Sequence, residues 1–183
     1  ETDIGAATTT DVIQDDIHAR ELGYGLGMFH HLISDLPTNE LADTLENFHI
    51  TPAYLADFDA VRTDAAGQMT PRLQEALNFI ENRREGIDVL EQACARGELK
   101  RRPIHGDPKI NNVMIDESTG HAVGLIDLDT VKPGLVHYDI GDCLRSCCNR
   151  LGEETREPEN VRFDLGLCRS ICLLYTSPSP RDY

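Results

Sequence analysis

The sequence predicts an α+β fold, mostly helical with one small β-hairpin, on three observations. Apolar residues recur at helical spacing as far as Gly97, short apolar runs bounded by turn residues replace that pattern after Pro103, and helix signals return beyond Gly134. In the first stretch Leu22, Leu26, Phe29, Ile33 and Leu36 step by four, three, four and three, one face of a helix within Asp11 to Asp35 that Pro37 ends. Gly23-Tyr24-Gly25-Leu26-Gly27 lies inside that stripe, so its glycines read as close helix packing rather than as a phosphate-binding turn.

Thr51-Pro52 supplies a cap and a first-turn proline for a short helix to about Val61, and Thr70-Pro71 repeats the signal. From there Leu73, Leu77, Ile80, Ile87 and Leu90 predict one long helix stopping at Gly97. Val113-Met114-Ile115 and Ala122 to Ile126, joined by Asp116-Glu117-Ser118-Thr119-Gly120, form the hairpin. Asp139 is expected to cap a helix reaching about Asn149, and Pro158 to Ser170 is expected to be helical.

With 183 residues and 40% hydrophobic content, the chain can bury one sizeable core, which predicts one domain or a large part of one. A net charge of −15, from 32 acidic and 17 basic residues, argues against nucleic acid or an anionic membrane as partner. The basic knots Arg83-Arg84 and Lys100-Arg101-Arg102 read as solvated helix ends. No apolar stretch approaches the roughly 20 residues that span a bilayer, and no leader opens the chain, so a cytoplasmic protein is expected. Of six cysteines, Cys143 and Cys147 share a helix face, but free cysteine is usually a small buried hydrophobe.

The chemistry-bearing residues lie at the ends of the short apolar runs. His105-Gly106-Asp107-Pro108-Lys109-Ile110-Asn111-Asn112 precedes the hairpin, and Ile126-Asp127-Leu128-Asp129 follows it. Phosphoryl transfer needs an oriented hydroxyl, cations over the phosphate oxygens and exclusion of water. An Asp, an Asn five residues on, and a second Asp beyond a hairpin meet that need. Asp107 is then the base, and Asn112 and Asp127 hold Mg²⁺ on the ATP phosphates; Lys109 reaches the transferring phosphate as a point charge. Asp129 is a candidate further metal ligand, facing as Asp127 does only if the strand continues. His105 is expected to hold the loop through its ring, and Arg145 to pair with a nearby carboxylate.

These segments resemble the aminoglycoside phosphotransferase and choline kinase-like superfamily, whose C-terminal lobe carries H-G-D-x-x-x-x-N and then an I-D segment. With Lys132-Pro133-Gly134, Tyr138-Asp139-Ile140-Gly141-Asp142 and Asn47-Phe48-His49-Ile50-Thr51-Pro52, they are most similar to N-acetylhexosamine 1-kinases. The resemblance covers about Ile17 to Ser170. It implies a protein-kinase-like C-terminal lobe with the N-terminal lobe, its Gly-rich turn and strand lysine missing, and hence weak ATP binding by this stretch alone. It further implies ATP and Mg²⁺ as cofactors and a small-molecule acceptor. The anomeric hydroxyl of an N-acetylhexosamine leads; an aminoglycoside, homoserine or choline acceptor, or a non-catalytic binding protein on the same fold, are the alternatives. The expected organisation is a lead-in over 1–17, the lobe over 18–171, and a tail over 172–183 that resembles a read-through of a sequencing adapter and is set aside from the fold.

Overall fold

The computed structural model describes residues 6–64 and 69–176. Where composition predicts one domain, the chain divides into two compact units, one taking the residues up to Thr44 and from Arg101 onward, the other Leu45–Lys100.

The first unit is built on helix α1 (Asp16–Leu32), whose start is set by Asp15: its carboxylate accepts the amide of His18 at 2.8 Å. Leu22 and Leu26 are fully buried, as the stripe predicts. The glycines are there because α1 is approached closely. A Cβ on Gly23 would stand 2.0 Å from the carbonyl oxygen of Ile171 in helix α6 (Leu165–Tyr175), and one on Gly25 would touch Ala122 of the hairpin at 3.4 Å. Helix α6 itself is capped by the Asp164 side chain and runs through Cys172–Tyr175, past the Ser170 limit expected from sequence and into the stretch set aside.

The hairpin forms as predicted from β3 (Val113–Asp116) and β4 (Ala122–Leu125), antiparallel, with Val113 opposite Leu125. Asp116 closes its turn by accepting the amides of Ser118 and Thr119 at 2.9 and 2.8 Å. A short strand, β1 (Ala7–Thr8), adds to β3, and a second two-stranded sheet pairs β2 (Arg102–Ile104) with β5 (Lys132–Gly134). Neither β1 nor the second sheet was expected. Helix α5 (Val136–Cys147) follows directly, and Cys143, Cys147 and Cys148 join Leu22, Leu26 and Leu167 in the core.

The second unit holds α2 (Thr51–Asp64), α3 (Pro71–Glu81) and α4 (Val89–Ala95). The Thr70 hydroxyl accepts the Leu73 amide at 3.1 Å, the cap that Thr-Pro predicts. The single long helix expected from Pro71 to Gly97 is two helices. Ile80 and Ile87 are seven residues apart, so the apolar stripe passes over the break unmarked, but Asn82 ends α3 and Gly86 takes φ +84°. Gly97 does stop α4: at φ +75° it lets its own amide reach Cys94 and that of Glu98 reach Ala93, a Schellman ending. No helix among the described residues is long and apolar enough to cross a membrane.

Candidate active site

The loop from His105 to Asn112 leaves β2 and enters β3, and its shape is dictated from below by a buried carboxylate. Asp139, on the first turn of α5, is fully buried and accepts the amides of His105 at 2.7 Å and Gly106 at 2.8 Å; His30 of α1 donates from Nε2 to it at 2.7 Å. It is not the helix cap expected from sequence: the N-cap is Leu135, and the carboxylate turns inward because three buried donors need an acceptor. Gly106 has φ +90°, and a Cβ there would meet the Thr130 carbonyl oxygen at 2.6 Å, so the turn admits glycine only.

His105 behaves as predicted. Its Nε2 lies 3.0 Å from the Ile126 carbonyl, and the Asp107 amide lies 3.3 Å from its Nδ1. A carbonyl can only accept and an amide only donate, so the ring proton sits on Nε2. Burial lowers the His105 pKa, ahead of the opposing pull of Asp139, which keeps this neutral tautomer in place. The ring thus ties the loop before the hairpin to the loop after it.

Three of the predicted residues meet on this frame. Lys109 Nζ lies 2.8 Å from Asp107 Oδ2, both side chains about a quarter exposed. Asn112, buried, donates from Nδ2 to the Asp107 carbonyl at 2.8 Å and to Oδ2 at 3.3 Å. The amide orientation leaves Asn112 Oδ1, the oxygen a cation would take, unspent on Asp107. The hydrogen bond to Asp107 raises the Lys109 pKa, and the charges of Asp107, Glu153 and Asp127 add to it, so the ammonium persists through neutral pH.

Asp127 is brought to the same end of the hairpin by register: the Ile126 amide donates to the Asn112 carbonyl at 2.9 Å, one residue before it. Asp127 takes the left-handed conformation, φ 64° and ψ 57°, just beyond the end of the strand, and is exposed. Because β4 stops at Leu125 and a 3₁₀ turn spans Leu128–Thr130, the strand alternation that would turn Asp129 the same way is broken. The Asp129 backbone carbonyl accepts the Thr44 hydroxyl at 3.3 Å. Arg145 pairs with Asp142 and Glu153, as expected.

Among the described residues no group of three or more His, Cys, Asp and Glu side chains converges on one point. Asn112 Oδ1 and the Asp127 carboxylate are hard oxygen donors of the kind Mg²⁺ takes when phosphate oxygens and water complete its octahedron. In donor chemistry, the residues present fit that ion.

Asp139 and His30 are the members that sequence reasoning missed. Their partners lie 33 to 145 residues away, beyond the reach of any local sequence signal. A buried carboxylate supporting a loop that presents an Asp–Lys–Asn cluster is an arrangement for orienting a nucleophile beside bound anions. In agreement, the model of the phosphotransferase enzyme family, APH, matches residues 3–168, most of the 183-residue chain, and the chain belongs to that family.

Proposed function

We propose that the chain carries the catalytic half of an ATP- and Mg²⁺-dependent cytoplasmic kinase that phosphorylates the anomeric hydroxyl of an N-acetylhexosamine. The observation that supports it most is the joint placement of Asp107, Lys109 and Asn112 on one loop, with Asp127 at the facing root of the hairpin. In this reading Asp107 Oδ2 orients the acceptor hydroxyl and takes its proton as the oxygen–phosphorus bond forms. Lys109, held on Asp107 in the absence of substrate, turns its charge to the transferring phosphoryl oxygens. Asn112 and Asp127 would hold Mg²⁺, which supplies charge neutralisation at the phosphates, whereas Asp129, on the turn beyond the strand, is left out of that set. His105 and Asp139 fix the loop so that little reorganisation accompanies the transfer.

The test is ADP release by the full-length gene product with Mg²⁺ and ATP, across N-acetylhexosamines, aminoglycosides, choline and homoserine, with phosphorus NMR of the product. Turnover confined to the hexosamines with an anomeric phosphate is the expected result. Turnover on another acceptor moves the substrate and keeps the chemistry, and silence on all of them contradicts the reading.

A further inference from the structure

A cavity of about 290 Å³ shares Lys109 with the catalytic loop; its polar walls are Asp11, Lys109, Asn111, Ser146, Glu153 and Glu154. All of them belong to the first unit. One of these groups is unsatisfied: Asn111 Oδ1 is buried and has no partner. Ser146 on α5, only 4% exposed, lines the same cavity. The great majority of buried polar atoms are paired, so an orphan acceptor on a polar cavity wall marks the place of a ligand's donor.

The chemistry of that ligand follows from what the walls lack. Lys109, their one cation, is already committed to Asp107 at 2.8 Å. The remaining groups are acceptors, apart from the Ser146 hydroxyl and the Asn111 amide, and Glu153 is held in place by Arg145 at 2.7 Å. Asp11, Glu153 and Glu154 repel anions. The volume is at the lower limit of small-molecule sites, roughly 300 Å³, and suits one ring rather than an extended ligand.

We infer that this cavity is the acceptor subsite: it holds the hydroxyl-rich, non-anionic body of a monosaccharide, with Ser146 and Asn111 determining specificity and Lys109 the wall shared with Asp107. The inference rests on the proposed kinase reading and deepens it. Ring hydroxyls donate to Asn111 Oδ1 and Glu153 while Ser146 bonds a ring or acyl oxygen, and a hydroxyl emerging past Lys109 meets Asp107.

The full chain is titrated with N-acetylglucosamine and with glucuronate, followed by saturation-transfer NMR. N-acetylglucosamine is expected to bind and glucuronate to be excluded. Ser146→Ala is expected to weaken N-acetylglucosamine about tenfold, the loss of one buried hydrogen bond. Glu153→Gln, a change at a partly exposed position that keeps the fold measurable if Ser146→Ala does not, is expected to admit glucuronate. No binding of N-acetylglucosamine, equal binding of both probes, or binding unmoved by either variant overturns the assignment. Those failures are separable from failure of the kinase reading: ADP release by the full-length product with an acceptor KM unchanged by Ser146→Ala overturns the cavity alone, whereas its absence on every acceptor overturns the reading.

Discussion

Residues Leu45–Lys100 and the remainder of the chain hold their structure by different means. Among the described residues of Leu45–Lys100 none is buried, and the helices there are joined by surface ion pairs: Arg84 reaches Asp59 at 2.7 Å and Glu81 at 2.9 Å, and Arg62 reaches Glu81 at 2.7 Å. The other unit buries Leu22, Leu26, Leu135 and Leu167 and supports its polar loop on a carboxylate with no exposure at all. Exposed ion pairs are screened by solvent, whereas a buried carboxylate with three donors is rigid because every alternative leaves a donor unsatisfied. The candidate catalytic residues stand on the rigid unit, which is where a preorganised site belongs.

The strongest way to break that contrast is Asp139→Ala, which strands the His105 and Gly106 amides and the His30 ring in the core. A loss of about 3–5 kcal/mol is expected, the range for one-sided removal of a buried charged partner, read by urea denaturation. Gly23→Ala comes next: its methyl meets the backbone of Ile171, which cannot move as a flexible side chain would, and a loss of about 1–3 kcal/mol is expected from the same measurement.

A smaller effect is expected from pH. His105 has its pKa lowered by burial, so the unfolded chain binds a proton more readily than the folded one as pH falls through the ordinary histidine value of about 6.5. Stability contributed by the neutral ring is complete above that value and declines below it, and denaturation midpoints between about pH 7.5 and 5.5, roughly one unit either side of it, check the sign. His105→Asn should flatten part of that decline. The smallest effect is expected from Arg84→Ala: its partners are exposed, and the melting temperature should move far less than for Gly23→Ala. A large shift there would show that Leu45–Lys100 depends on its ion pairs more than solvent screening allows.

The hairpin, the caps at Thr70 and Gly97, and the loop carrying Asp107, Lys109 and Asn112 were legible because each is written in local sequence. Turn residues, a Thr-Pro start and a fixed five-residue spacing need no distant partner. The pairing of β2 with β5 was not legible: Lys132-Pro133-Gly134 carries turn residues, and in the sheet Pro133 sits opposite Pro103, where neither ring has an amide to offer. The break at Gly86 was hidden by a stripe that kept its period across it. Asp139 was misread because a carboxylate near a helix start has an ordinary local use, and the buried amides that claim it come from a loop more than thirty residues earlier.

The most direct measurement compares ADP release by the full-length product and its Asp107→Asn variant, with nucleotide affinity measured alongside. Loss of turnover by about 10²–10⁴-fold at unchanged nucleotide affinity is the expected result, the usual contribution of a positioned general base. Turnover that survives the substitution would contradict the assignment of Asp107 and the reading built on its loop.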